Sequence, residues 1–577
     1  MSSDAPGVRR PWRRSVLRAE SDILWIAIVM AVVVVVLVRA NGCALDPIID
    51  TGRDLYIPEQ IRGGGVKLYR DILYYYPPLA PYLLALITAM TGSSLAAYTM
   101  IGAAIALLTA SAIYAIVRIV ASPAAAGTAS LLFVSCSVYS ISGRTSNYLF
   151  PYAHAATLAM LFFLTGSAFV LAWAYVDHRP RWLAPGMLFL LAASWTKLEY
   201  VVFAACIVAL AAIVHRMSIR WVVAYVVAGL ATLIAVDRYF ADAPDGHHWL
   251  FDNVLASSLL HGDSARYFYR QVAGFDIFGA NLWAAILSAC VLIAIIAAIR
   301  ASDRWSSRAA MVILALFIAL ITLRSGNDFF RGWAVVQLAL LPFALRHPRE
   351  PLLFLLTLSL CGSSRVFLRM TPEWYGFVFL VPTYALVAYV LFEWFPSRSV
   401  YSRSAARLAV VPLVVISAHF LWTANTVIEQ KLYPVRTVRG LFYDANLGRA
   451  AALYGLIERF RAVHPRSLVV VPEGLTLNYL THVKTPMSFH TFTPVETADP
   501  QIEAQIIADL TAHPPEYIAV VTRPVTDFGY RGFGLDYDRR FAAVIQQRYT
   551  LVQRWRLPSF ELILLRVGPA FSPHNAG

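Results

Sequence analysis

The feature that most restricts this chain is an apolar run, repeated many times, that is long enough to cross a lipid bilayer. The first, Ile23 to Val38, carries no charge. A spanning helix needs about 20 mostly apolar residues, because every backbone amide inside hydrocarbon must find its partner within the helix. Further apolar stretches at 95–117, 123–142, 153–175, 183–196, 199–214, 220–240, 277–299, 309–323, 333–345, 351–361, 377–395 and 407–424 predict thirteen spans in all. Composition points the same way. Of 577 residues, 59% are hydrophobic and 14% charged, against roughly 45–50% and 25% in soluble domains. The expected fold class is an α-helical polytopic membrane protein.

Charge sets the expected orientation. Arg9, Arg10, Arg13, Arg14 and Arg18 precede the first span, which places the N-terminus in the cytoplasm by the positive-inside rule. No small-residue cleavage site follows near Asn41 to Leu45, so the first span reads as a retained anchor. The net charge of +14 sits largely in short loops, at Arg118, Arg179, Arg181, Arg300, Arg304 and Arg308 among others. Topology and anionic lipid account for it there without nucleic acid. The five cysteines are dispersed and give neither a disulfide framework nor a metal spacing.

An odd span count puts the tail outside. There the periodicity changes: SLVVVPEG, EYIAVVTRP and FELILLRVG read as short buried strands, and Ala450 to Arg461 and Ile502 to Ala512 as helices. The expected organisation is a basic N-terminus (1–22), a transmembrane domain (23–424) whose first outer loop spans 40–94, and a small extracytoplasmic α/β domain (425–577).

Between the first two apolar regions, Asp46 to Gly92 gathers acids (Asp46, Asp50, Asp54, Asp71), cations (Arg53, Arg62, Lys67, Arg70) and tyrosines (Tyr56, Tyr69, Tyr74, Tyr75, Tyr76). Charge beside a bilayer is costly unless it is paired, solvated or used in chemistry. Sugar transfer at a membrane surface needs a carboxylate to take the acceptor proton and cations to hold a departing lipid phosphate. The competing account is an ion-paired loop whose acids only neutralise its arginines. Pro77 and Pro78 then open a short apolar helix to Met90, expected to lie along the outer membrane surface.

Asp50 followed by Arg53, Gly65, Leu68-Tyr69-Arg70-Asp71 and Tyr76-Pro77-Pro78-Leu79, all just after the first span, resembles the first extracytoplasmic loop of the GT-C superfamily of glycosyltransferases. The likeness is to bacterial relatives of protein O-mannosyltransferases and of lipid A aminoarabinose transferases. It implies a bacterial inner-membrane enzyme, a loop acid as catalytic base and a polyprenyl-phosphate sugar as donor. The acceptor would be a lipid, glycan or protein, and no cofactor is indicated. The family often has Asp-Glu at the acid, whereas Thr51 follows Asp50 here and a second acid stands at Asp54. The base is therefore Asp50 first, Asp54 second. The resemblance also implies that Lys197, in the turn Ser194-Trp195-Thr196-Lys197, lies near the donor phosphate.

Other candidates follow from residue chemistry. Arg53 joins Lys197 as a donor-phosphate contact, and so do Arg365 and Arg369, which have no acid within three residues; the competing account makes Lys197 an interfacial lysine reaching outward and the outer arginines topology and interface anchors. Tyr69, Arg70 and Asp71 are expected in the substrate cleft. The loop 241–276 holds Asp245, His247, His248, Asp252, His261, Asp263, Arg266 and Arg270. Its histidines lack zinc spacing, so no metal is assigned, and Arg266 and Arg270 are read as cleft contacts. Val471 to Gly474 reads as a connecting turn. Two rival functions stand beside sugar transfer: a transporter or flippase for lipid-linked glycans, and a non-catalytic envelope scaffold. Against the first, no internal repeat is visible and the acids sit outside the spans.

Overall fold

The computed structural model describes residues 16–63, 65–139, 145–241, 248, 250–256, 262–304, 307–558 and 560–568. Arg9, Arg10, Arg13, Arg14, Asp245, His247 and His261 lie outside the described residues, as do the side chains of Arg18 and Asp252.

Helices dominate as far as Glu429. In order they begin α1 (Val16–Ala40), α2 (Gly52–Arg62), α3 (Leu79–Thr91), α4 (Leu95–Val120), α5 (Pro123–Phe133), α6 (His154–Tyr175), α7 (Pro180–Thr196), α8 (Glu199–Ile213) and α9 (Ile219–Phe240). Among the described residues, seven helices are long and apolar enough to cross a membrane, and α3, α5 with its continuation to Val138, α8 and Pro351–Ser363 are shorter apolar helices. Helical segments stand in all thirteen expected stretches, but several are too short to count as spans by length alone. The apolar surface also faces outward. α1 buries Val29, Val33 and Val36 while exposing Ile23, Leu24 and Val38, and α9 exposes Leu230 and Ile234. A soluble fold would hide these side chains, so their surroundings are hydrocarbon.

α6 packs against α4 and α7. Its contact with α7 is a near-touching of backbones at Gly166, where a Cβ would come within 2.9 Å of the Gly186 carbonyl oxygen. Small residues at such crossings let membrane helices approach closely. Pro77 and Pro78 precede α3 as expected, and α3 buries Ala80, Leu84 and Thr88 while exposing Leu86 and Met90.

Beyond Glu429 the chain becomes a small α/β unit. A hairpin of β1 (Tyr433–Thr437) and β2 (Gly440–Asp444) comes first. A four-stranded sheet follows in the order β3 (Leu468–Val471), β4 (Tyr517–Val521), β6 (Phe560–Val567), β5 (Tyr549–Leu557), parallel only between β3 and β4. The three strands read from sequence are β3, β4 and β6, and the two helices are Leu447–Val463 and Pro500–Ala512. The hairpin and β5 escaped that reading. β5 is an edge strand, YTLVQRWRL, whose charges interrupt any buried run.

This unit is fastened to the first loop. Arg439 donates to Glu59 at 2.5 Å, to the Tyr479 carbonyl at 3.2 Å and to Ser93 Oγ at 2.8 Å. The Thr485 amide donates to the Tyr56 hydroxyl at 3.0 Å, and the Leu73 amide to the Ser488 carbonyl at 3.0 Å.

Candidate active site

The loop after α1 is shaped by its own acids. The buried Asp46 carboxylate accepts from the amides of Ile48 (3.0 Å) and Ile49 (3.2 Å), folding the chain back on itself. Asp50 then adopts φ +57°, the left-handed region that few non-glycine residues occupy. Its amide donates to Glu473 Oε1 at 2.5 Å, a contact from the sheet unit that holds this conformation. α2 starts two residues later at Gly52. A Cβ there would lie 2.3 Å from the Thr476 amide nitrogen, so only glycine lets the loop and the sheet unit meet this closely.

Where they meet, a cavity of about 550 Å³ opens between the helices and the sheet unit. Asp50, Arg53, Lys197 and Arg365 all line it. Arg53 reaches Asp50 Oδ1 at 3.2 Å and Glu496 Oε1 at 3.1 Å. Lys197 follows α7 directly and is 5% exposed, turned inward rather than out to an interface. Its ammonium donates to the Tyr152 hydroxyl and to Glu199 Oε1, both at 3.1 Å.

Aromatic rings connect these cations in a row. Arg53 (5.4 Å) and Lys197 (5.8 Å) share the Tyr76 ring; Lys197 (5.9 Å) and Arg365 (5.8 Å) share Phe379; Arg365 also lies 4.5 Å from the centre of Tyr269. Ring faces stabilise cations held out of water. Arg365 Nε is buried and has no hydrogen-bond partner among the described residues. A second strained residue, Trp374 at φ +50°, lines the same cavity.

The walls are not uniformly cationic. Asp50, Glu199, Glu373, Glu473, Glu496 and Asp527 stand against Arg53, Lys197, Arg365 and Arg523. Arg523 is committed to Glu473 at 2.8 Å. Burial first, and the Glu473 carboxylate next, push the Asp50 carboxyl up to about 7. Burial likewise pushes Glu496 up to about 7. The result is a half-neutralised carboxylate beside paired cations, able to take a proton near neutral pH. Among the described residues, no three His, Cys, Asp or Glu side chains converge as metal ligands.

The remaining candidates lie off the lining. Asp54 is buried and accepts from the His154 amide in a short bond and from His154 Nδ1 at 3.1 Å, which anchors the start of α6. Arg70 and Asp71 pair with each other at 2.7 Å. Tyr69 is buried and donates to the Tyr76 carbonyl at 2.8 Å, so it supports a cavity residue from behind. Arg369 reaches Asp276 at 3.3 Å, an acid distant in sequence. Arg266 and Arg270 project from the exposed face of helix Asp263–Ala273, which offers Phe268 and Tyr269 to the cavity instead. His248 pairs with Asp237 at 2.8 Å.

Sequence reasoning missed Glu473, Glu496 and Arg523. The first stands in the turn read as a mere connection, and its acid beside a strand end was the available signal.

No protein-family model matches the chain, and no curated protein matches it. Among solved structures it is similar to ArnT from Cupriavidus metallidurans bound to undecaprenyl phosphate, at 14% identity and a TM-score of 0.46, over 96% of this chain and 99% of that one. It is similar also to the archaeal oligosaccharyltransferase AglB from Archaeoglobus fulgidus in complex with an inhibitory peptide and a dolichol-phosphate. That match has 12% identity and a TM-score of 0.49, over 97% of this chain and 76% of that one.

Proposed function

We propose that the chain is an inverting glycosyltransferase of GT-C type that moves a sugar from a polyprenyl-phosphate donor to a lipid, glycan or protein acceptor at the extracytoplasmic membrane face. The observation that carries this reading is Asp50, held in a left-handed conformation by Glu473 at the edge of a cavity that also contains Lys197 and Arg365. The loop resemblance read from sequence supports the same chemistry.

In this mechanism the Asp50 carboxylate takes the proton of the acceptor hydroxyl or amine. The acceptor atom bonds to the anomeric carbon from the side opposite the phosphate, and the bond from that carbon to the phosphate oxygen breaks. Configuration inverts, and the electron pair leaves on the polyprenyl phosphate. Lys197 and Arg365 hold that phosphate as its charge grows, where a water-poor setting makes each cation count for more. Arg53 keeps Asp50 aimed. Asp54 has a structural task at the start of α6.

Incubating the purified protein with a panel of polyprenyl-phosphate sugars and an acceptor extract tests the proposal. Release of free polyprenyl phosphate together with a glycosylated acceptor is expected. Movement of intact donor across a vesicle membrane without release contradicts it and favours a flippase.

A further inference from the structure

The far ends of α4 and α6 hold two adjoining spaces that the reaction above does not use. Both helices start beside the catalytic loop, where the Tyr98 hydroxyl donates to the Leu55 carbonyl at 3.2 Å and the His154 amide to Asp54. From Tyr98 to Arg118, or from His154 to Tyr175, the helix climbs about 30 Å, the thickness of a hydrocarbon core. At that end an apolar cavity of about 760 Å³ lies between α4, α6 and α7, lined by Leu161, Phe169 and Phe189 and also by Arg118 and Arg181. A polar cavity of about 660 Å³ shares Arg118 and Ile119 with it and adds Glu393, Arg403 and Arg407.

The charges in this pair of spaces are unequally committed. Arg118 binds Asp22 and Arg181 binds Asp177, each at 2.8 Å. Glu393 Oε1 accepts the Ser122 amide at 2.9 Å. Arg403 and Arg407 are exposed, and neither has a carboxylate in ion-pair range among the described residues. An apolar slot at a membrane boundary, with a polar space beside it that carries two uncommitted guanidinium groups, matches one kind of molecule: an acyl chain carrying a phosphate.

We propose that the two adjoining cavities bind one anionic glycerophospholipid, an acyl chain between α4, α6 and α7 and the phosphate beside Arg403 and Arg407. The site is independent of the sugar-transfer reading and stands or falls without it. It would fasten the end of the helix pair opposite the catalytic loop to the anionic leaflet.

The test is native mass spectrometry of the full-length protein in mild detergent, titrated separately with dioleoyl-phosphatidylglycerol and dioleoyl-phosphatidylcholine. Phosphatidylglycerol is expected to bind at least tenfold more tightly. The double variant Arg403→Gln/Arg407→Gln, at two exposed positions, should lower its affinity roughly tenfold and leave phosphatidylcholine unchanged. Ala115→Trp, at an exposed lining residue, should weaken both lipids by filling the slot. Equal affinity for the two lipids, or phosphatidylglycerol binding that survives either variant unchanged, overturns the proposal.

Discussion

At the scale of single residues, the decisive property is the Asp50 carboxyl, pushed up to about 7 by burial and by Glu473. A base must be ionised to accept a proton, so turnover should rise with pH through about 7 and level off above it. Glu473→Gln keeps an oxygen for the Asp50 amide but removes a negative neighbour, which makes the charged form of Asp50 easier to reach. The rising limb should therefore move to lower pH, and a limb that stays fixed would separate the titration from Asp50. Asp54 behaves differently. Asp54→Ala leaves the His154 amide unpartnered at the start of α6 and should cost about 1–3 kcal/mol, read as a lower Tm with turnover per folded molecule retained. A stable but inactive variant would move the base to position 54. Asp50 and Lys197 were singled out in the sequence through the resemblance of their loop and turn to a known family, and Arg53 as a cation of the same charged loop. Glu473, Glu496 and Arg523 were not, because their partners lie more than 400 residues away along the chain or are met only after the sheet unit folds.

At the scale of elements, the position of Asp50 depends on how α2 meets the helix Thr476–Thr481. The contact relies on the missing side chain of Gly52, since the atom a Cβ would strike is backbone and cannot swing away. Gly52→Val should displace the loop, and a shift of about 1 Å in a reacting group costs roughly a hundredfold in rate. Full activity in this variant would show that the loop is more pliant than its packing indicates. Helices were readable here because uncharged runs leave few alternatives in hydrocarbon. The edge strand β5 was not, since the arginines on its outward face erase the buried pattern, and the hairpin strands β1 and β2, five residues each, are too short to show a period.

At the scale of the whole molecule, the membrane helices and the sheet unit build one cavity between them, and neither has it alone. Arg439 is the clearest fastening, tying Glu59, Ser93 and Tyr479 together. Arg439→Ala should loosen the sheet unit by about 1.5–3 kcal/mol, seen as faster hydrogen exchange in β1 and β2; unchanged exchange would place the fastening elsewhere. The overall organisation into a helical domain and an α/β tail was visible from the change of period near residue 430. That the tail supplies walls of the cavity was not, because a linear pattern carries no record of docking.

The central claim concerns the Asp50 carboxylate, and the most direct measurement is the rate at which Asp50→Asn releases polyprenyl phosphate from a donor it still binds. The account predicts donor affinity within a few-fold of the parent protein and a rate lower by roughly 10²–10⁴-fold. A rate equal to that of the parent, at saturating donor, would contradict it.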